Sequence, residues 1–143
     1  MNKSFFLSIC LLLSLVCCVF QPTEARPLNL AKTAKKLLSI LGTGTYYDVA
    51  AGVGSCGQTN SNDDMVVAVN HGQMKNGANP NKNKYCNKKV KIVGKTGKSV
   101  EARIVDTCPG CANGCLDMSS ACNIQKVCGS LDLGVCQISW DFV

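Results

Sequence analysis

Eight cysteines in the C-terminal two-thirds of the chain constrain its fold more than any other feature. An even number of cysteines in a short domain is typical of secreted proteins, in which disulfides replace part of the core that so short a chain is unable to bury. We therefore expect a disulfide-stapled domain with four bridges, although the count alone does not decide the pairing. The eight residues are Cys56, Cys86, Cys108, Cys111, Cys115, Cys122, Cys128 and Cys136.

The N-terminus has the pattern of a secretory signal peptide. Lys3 precedes an apolar run from Phe5 to Phe20, and Thr23 and Ala25 occupy the small-residue positions of a signal-peptidase site. The run is shorter than the stretch of about 20 residues that spans a bilayer. We therefore predict a signal peptide over residues 1–25, which would remove the other three of the 11 cysteines. A secreted, extracellular protein without a membrane span is expected, with an anchored form as the alternative.

A short basic segment follows. Residues 26–44 carry four positive charges and no acidic residue, and leucines recur at helical spacing from Leu30 to Leu41. We interpret this segment as a basic amphipathic arm or pro-segment, with a membrane-seeking helix as the alternative. Gly42 and Gly44 mark its end, so a single domain is predicted over residues 45–143.

The charge of the chain, +6 in all, is unevenly distributed. Seven lysines lie between Lys82 and Lys98 with no acidic residue among them. Such a cluster favours an anionic partner such as an acidic polysaccharide, or it protects an edge strand from pairing with neighbours. Nucleic acid is not an expected partner for a chain outside the cell.

From residue 45 onward the pattern is that of short strands. Residues 65–69 (MVVAV) are an apolar run of strand length, which predicts a strand buried on both faces. Residues 90–104 alternate between apolar and polar positions on either side of a glycine-containing turn, which predicts a hairpin. Residues 135–142 predict a last strand, and only residues 117–129 have helical spacing. The sequence thus predicts a mainly β domain with one or two short helices.

Cys108 and Cys111 have the CxxC spacing that zinc knuckles and redox centres share with structural disulfides. Structural zinc usually needs a second such pair or nearby histidines, and the only histidine, His71, lies far upstream. A redox pair would begin a helix, whereas the residues that follow, ANGC, predict a turn. A structural disulfide is therefore favoured, with no metal and no cofactor.

Seven stretches occur in an order and spacing that resembles the double-psi β-barrel domain of expansins, barwin-like proteins and rare-lipoprotein-A-like proteins. The pairing of VDTCPGC with LDMS is the most family-specific part. The resemblance implies a six-stranded double-psi β-barrel, and we expect a monomer. The stretches are GTGTYYD (42–48), SCG (55–57), MVVAVN (65–70), YCNKKVKI (85–92), VEARIVDTCPGC (100–111), LDMSSAC (116–122) and ISWDFV (138–143).

The resemblance also implies a polysaccharide groove on one face of the barrel. The groove residues of expansin-like barrels correspond to Thr45, Asp106 and Asp117, and Tyr47 is a candidate for stacking on a sugar ring. Cell-wall polysaccharide, bound without hydrolysis, is the function and partner that this set predicts. By the same resemblance Cys56 pairs with Cys86 and Cys108 with Cys111, which leaves the other four cysteines to pair among themselves.

Two alternative functions stay open. In endoglucanases that share this barrel, aspartates at the position of Asp117 and near that of Asp48 act as general acid and general base, so a weak endoglucanase or lytic glycosidase is the first. Leu116 in place of an aromatic residue and the offset of Asp48 depart from that pattern. The second is a protein-binding barrel, such as an effector or an inhibitor of a secreted cysteine protease.

The two central aspartates also have purely structural interpretations. Asp106 follows a predicted strand and precedes Thr107 and a Cys-Pro pair, so its carboxylate is a candidate for capping a turn. Asp117 precedes the predicted helix and is a candidate for its N-cap.

Overall fold

Six strands form a closed barrel in the order β1-β5-β2-β4-β3-β6. The computed structural model describes residues 39–143, without the side chains of residues 123–125. The predicted signal peptide and residues 26–38 of the predicted arm lie outside the described residues. The strands are β1 (Ile40–Tyr46), β2 (Val66–Asn70), β3 (Lys89–Val93), β4 (Ser99–Cys108), β5 (Leu116–Met118) and β6 (Cys136–Phe142).

Two short helices accompany the barrel. Helix α1 (His71–Met74) follows β2 directly, and Asn70 caps it by accepting a hydrogen bond from the Gln73 backbone N–H. Helix α2 (Ser120–Cys122) continues as a wider π turn over Asn123–Cys128. The predicted fold class, a mainly β barrel of six strands with short helices, is confirmed.

The strands predicted from alternation and apolar runs are present. Every residue of β2 is buried, as its continuous apolar run predicts. Strands β3 and β4 form an antiparallel hairpin in which Val90 lies opposite Ala102 and Ile92 opposite Val100. These four side chains are buried while their neighbours in sequence point outward, so one face of the hairpin belongs to the core.

Strands distant in sequence pair in parallel. Strand β1 pairs with β5, and β2 pairs with β4, although β5 and β2 are antiparallel to each other. The β2–β4 ladder is irregular, because Val67 lies opposite Ile104 and Ala68 lies opposite Asp106. Val105 is therefore the additional residue of a β-bulge. The bulge brings Asp106 level with Ala68.

The barrel interior is filled by aliphatic side chains and one tryptophan. Trp140 is only 1% exposed, and its indole N–H donates to the carbonyl oxygen of Gly114 (2.7 Å), so it is a core residue. A second, smaller cluster lies apart from the main core. It consists of Val49, Val66 and Val105, against which Tyr47 packs.

The barrel begins earlier than residue 45, the predicted start of the domain. Strand β1 starts at Ile40 and pairs with β6 from Ile40 opposite Trp140 to Gly44 opposite Cys136. Leu41, the last leucine of the predicted amphipathic pattern, is 75% exposed on this strand. Pairing with β6 thus overrides the helical spacing at the end of the arm, because the strand packs Ile40 against the core whereas a short helix is marginal alone.

Three disulfides are present in the described residues: Cys56–Cys86, Cys108–Cys111 and Cys128–Cys136. The first two are the pairs that the resemblance implied. The expected fourth bridge is absent from the described residues, and Cys115 and Cys122 are free thiols. Cys122 packs in the main core, where burial raises the pKa of its thiol to about 12. Cys115 is instead partly exposed and bonds to Thr43.

Within residues 39–143, no helix is long and apolar enough to cross a membrane.

Candidate functional site

Four strands contribute adjacent residues to one row across the barrel wall. Thr45 of β1 lies opposite Asp117 of β5, Asp117 lies opposite Ala68 of β2, and Ala68 lies opposite Asp106 of β4. Leu116 and Met118, on either side of Asp117, point into the core. Since successive strand residues point to opposite faces, Asp117 points outward. The row therefore joins three of the predicted site residues on the outside of the barrel.

The two residues at the start of the row are directly bonded. The Thr45 hydroxyl donates to Oδ1 of Asp117 at 2.6 Å. Burial raises the pKa of Asp117 above its ordinary value, the Thr45 hydrogen bond lowers it, and the charge of Asp106 raises it. Asp117 thus holds its proton more strongly than a carboxyl group in water.

Asp106 caps a turn, as its structural interpretation predicted. Its Oδ1 accepts hydrogen bonds from the backbone N–H groups of Ser55 and Thr107, both at 2.7 Å. No described residue bonds to its other oxygen, Oδ2, and the side chain remains partly exposed. One oxygen therefore fixes the carboxylate while the other is available to a ligand.

Tyr47 lies beside both aspartates. Burial, and then the charges of Asp106 and Asp117, raise the pKa of its hydroxyl well above the ordinary value. Its ring packs on Val49, Val66 and Val105. The smaller cluster therefore supports the ring next to the carboxylates, whereas Tyr46 points away and is exposed.

Asp48 has a structural role. Its Oδ1 accepts hydrogen bonds from the Ala50 backbone N–H (3.1 Å) and from the Asn62 side-chain amide (2.8 Å). Asp48 is the N-cap of the 3-10 turn Val49–Ala51. Both bonds hold this carboxylate at the turn, and no described contact links it to Asp117.

Asp117 is not the helix cap that one interpretation of the sequence predicted. It lies in the middle of β5, and Ser119 instead accepts a hydrogen bond from the Cys122 backbone N–H (3.3 Å) at the start of α2. The cap prediction was wrong because Asp117 is itself a strand residue, and Met118 and Ser119 lie between it and the helix. The side chain of Asp117 is thereby directed to the site.

The Cys108–Cys111 disulfide borders the row. Both sulfur atoms and a carboxylate oxygen of Asp117 lie within 4.8 Å of one another. Thiolates and a carboxylate at this separation are suitable ligands for a metal. Here the sulfurs are joined in a disulfide, and the bridge forms the rim beside Asp117 instead.

Sequence reasoning missed two polar pairs around the row. Thr43 Oγ1 and Cys115 Sγ are hydrogen-bonded at 2.8 Å, as are Ser55 Oγ and Thr107 Oγ1. Thr43 and Cys115 each lie two positions before a residue of the Thr45–Asp117 pair. Side chains two positions apart along a strand point to the same face. This period was the sequence signal that could have placed Thr43 and Cys115 beside Thr45 and Asp117.

No family model matches the chain, and no curated protein matches it. Solved structures do match. The Streptomyces papain inhibitor is 30% identical with a TM-score of 0.65, and the match covers 73% of this chain and 94% of the inhibitor.

Two further structures share the fold. A single-residue mutant of the expansin from Clavibacter michiganensis, in complex with cellohexaose, is 25% identical with a TM-score of 0.61 over 74% of this chain. This chain spans 50% of the length of that expansin. The fungal elicitor cerato-platanin is 15% identical with a TM-score of 0.51, over 71% of this chain and 92% of its own, which supports the fold alone. With its closed six-stranded barrel and its 30% identity to the papain inhibitor over 94% of that protein, the chain belongs to the double-psi β-barrel family.

Proposed function

We propose that this protein is secreted and binds cell-wall polysaccharide without hydrolysing it. The observation that carries the proposal is the outward row of Thr45, Asp117, Ala68 and Asp106. Its carboxylate oxygens accept hydrogen bonds from sugar hydroxyls, and the small Ala68 between the two aspartates leaves room for a ring. Tyr47 adds an aromatic edge or face at the same place. An expansin of the same fold with bound cellohexaose supports this class of ligand.

Hydrolysis is less well supported than binding. An inverting glycosidase needs a protonated acid and an ionised base roughly 6.5–9.5 Å apart. The raised pKa of Asp117 suits a general acid. The predicted base, Asp48, is instead held by the Ala50 amide and Asn62. A binding site tolerates the lack of a second catalytic carboxylate, whereas hydrolysis does not.

The experiment is a pull-down on insoluble cellulose, chitin and peptidoglycan, with released reducing sugar measured in the same tubes. We expect retention on at least one polymer at moderate salt without sugar release, and loss of retention in Asp117→Asn. Asp63→Asn is the matched control, because Asp63 is exposed and lies outside the row. Absence of retention on all three polymers would refute the proposal, and sugar release that Asp117→Asn abolishes would establish a glycosidase.

Secretion is supported by the three disulfides, which form and persist in oxidising compartments. Expression in a secreting host should yield a protein in the medium that begins at Arg26, as N-terminal sequencing would show. Size-exclusion chromatography should find a monomer. A product that retains the apolar N-terminus in a membrane fraction would favour the anchored alternative.

Inhibition of a papain-type protease is the second candidate function. The observation that favours it is the match to the Streptomyces papain inhibitor, which extends over 94% of that chain. The exposed loop within residues 72–84 would contact the protease. Titration of papain with the purified protein should then abolish peptide hydrolysis at a stoichiometric ratio. Full papain activity at a large excess of the protein would exclude this candidate.

A further inference from the structure

A cavity of about 830 Å³ opens at the end of the barrel where β1 begins. Its wall includes Ile40 and Leu41 of β1, residues of α1, and Asn113 and Gly114 of the loop before β5. It shares no residue with the row from Thr45 to Asp106 or with Tyr47. The cavity is therefore separate from the candidate polysaccharide site.

The charged side chains on its wall are all cationic. Lys75 and Lys84 both line the cavity, and its described lining includes no aspartate or glutamate. The side-chain oxygen of Gln73 accepts hydrogen bonds from the Gly114 backbone N–H and from Asn70, so its amide N–H groups are left for a ligand. Two ammonium groups and an amide donor, without an opposing carboxylate side chain, favour an anionic ligand.

A second cavity of about 470 Å³ continues the first. Lys84, Tyr85 and Phe142 line both cavities, and Lys88 is added in the second. The two cavities thus form one groove, which we call the lysine groove, along which Lys75, Lys84 and Lys88 follow one another. The described side chains of its second part also include no acidic group.

Aromatic packing orders the middle of the lysine groove. The rings of Tyr85 and Phe142 are stacked with centroids 4.6 Å apart, and Lys84 Nζ lies 4.9 Å from the Tyr85 centroid. A cation above an aromatic ring is held electrostatically. Lys84 therefore loses less side-chain entropy on binding an anion than a fully mobile lysine would.

We propose that the lysine groove binds the carboxylates of an acidic polysaccharide, namely a chain of uronic acid units. A polyuronate repeats one carboxylate per sugar, so a single chain in the groove meets successive ammonium groups. The C–H faces of its rings are apolar, as are Leu41 and Phe142 on the wall. This inference goes beyond the proposed function, since it adds a separate site for an acidic polymer to the row that would bind neutral polysaccharide.

The test uses polygalacturonate as the acidic probe and a soluble neutral β-glucan for the row. Affinity for each is measured by isothermal titration with the purified protein at low salt. The double variant Lys75→Gln/Lys84→Gln should bind polygalacturonate about tenfold more weakly, with unchanged affinity for the glucan. Both lysines are exposed, so the substitutions leave the fold intact.

The matched control is Lys95→Gln/Lys98→Gln, which removes the same charge from the exposed β3–β4 turn outside the groove. It should retain the polygalacturonate affinity of the unmodified protein at the same salt. Equal loss in both double variants would mean attraction by net charge alone and would overturn the inference, as would no binding of polygalacturonate.

The two proposals fail in different ways. Binding of the glucan but not of polygalacturonate overturns the lysine groove and leaves the row. Binding of polygalacturonate that depends on Lys75 and Lys84, with no neutral polymer bound, supports the groove and overturns the row as a polysaccharide site.

Discussion

The Thr45 hydroxyl donates a 2.6 Å hydrogen bond to Asp117 across two parallel strands, although the residues are 72 positions apart in the sequence. The bond connects the first strand of the barrel with its shortest strand. It also fixes one carboxylate oxygen and thereby orients the other. The site is consequently a property of the assembled barrel and not of any local segment.

Thr45→Val should destabilise the protein by about 1 kcal/mol, because it removes the hydroxyl that Asp117 accepts while water still reaches the partly exposed carboxylate. The pKa of Asp117 should rise further, since the Thr45 hydrogen bond is the interaction that lowers it. A carbon-13 NMR titration of the carboxyl groups measures that pKa. Thr43→Val is the control, because Thr43 bonds to Cys115 instead. An unchanged Asp117 titration in Thr45→Val would contradict this account.

Asp117→Asn should make the protein more stable at neutral pH. Because the pKa of Asp117 is raised in the folded state, the folded protein binds this proton more tightly than the unfolded chain does. Well below pH 3.8, the ordinary pKa of the group, Asp117 is protonated in both states and does not lower the free energy of unfolding. The full loss of stability is reached once the pH exceeds the raised pKa of Asp117 in the folded protein. The advantage of Asp117→Asn should shrink as the pH falls.

Urea unfolding from acid to neutral pH, followed by the fluorescence of Trp140, measures this difference, because Trp140 is the single tryptophan and is buried. Asp63→Asn should not reproduce the trend. A less stable Asp117→Asn protein at neutral pH would show that the charge of Asp117 stabilises the fold.

The two confirmed bridges should differ in their effect on stability. Cys56–Cys86 joins residues 30 positions apart, whereas Cys108–Cys111 joins residues 3 apart. In the loop-entropy account, replacing the first pair by serine should cost about 2 kcal/mol more than replacing the second. The second replacement should weaken polysaccharide binding more, because that bridge borders Asp117. Equal losses of stability, measured by urea unfolding, would argue against the entropic origin.

Gly42→Ala should disrupt the barrel. A Cβ atom at this position would overlap the carbonyl oxygen of Gly114, and the backbones approach closely there. The clash should cost about 3 kcal/mol or prevent folding. Gly77→Ala is the matched control, because a Cβ at Gly77 meets no atom within 4 Å. Comparable unfolding midpoints for the two variants would contradict the close approach.

The sequence predicts the strands of this fold better than its connections. Period-two alternation identifies the β3–β4 hairpin because both strands are long enough to repeat the pattern. Strand β5 has only three residues, too few for a period, so Asp117 was open to interpretation as a helix cap. The start of β1 was missed because its pairing partner, β6, lies at the other end of the chain.

The composition of the candidate site was predictable, but its geometry was not. Thr45, Asp106 and Asp117 were identified by resemblance and Tyr47 as an aromatic ring that could stack on a sugar, and in the structure the four lie together. No pattern in the sequence indicates the bulge at Val105 that brings Asp106 level with Ala68. Likewise, a cysteine count gives an even number but not the environment of each thiol, which is why all eight cysteines were expected in disulfides although Cys115 and Cys122 are free.

Closure of the barrel has a consequence for how this protein behaves at high concentration. Each of the six strands has hydrogen-bonded neighbours on both sides, so no strand of the described domain is left unpaired along a whole edge that a second chain could extend. Further copies are thus unable to extend the sheet, and fibril growth by strand addition would first require the β1–β6 seam to open. On a polymer of the kind that we propose it binds, the protein could therefore be crowded without its sheets joining from copy to copy.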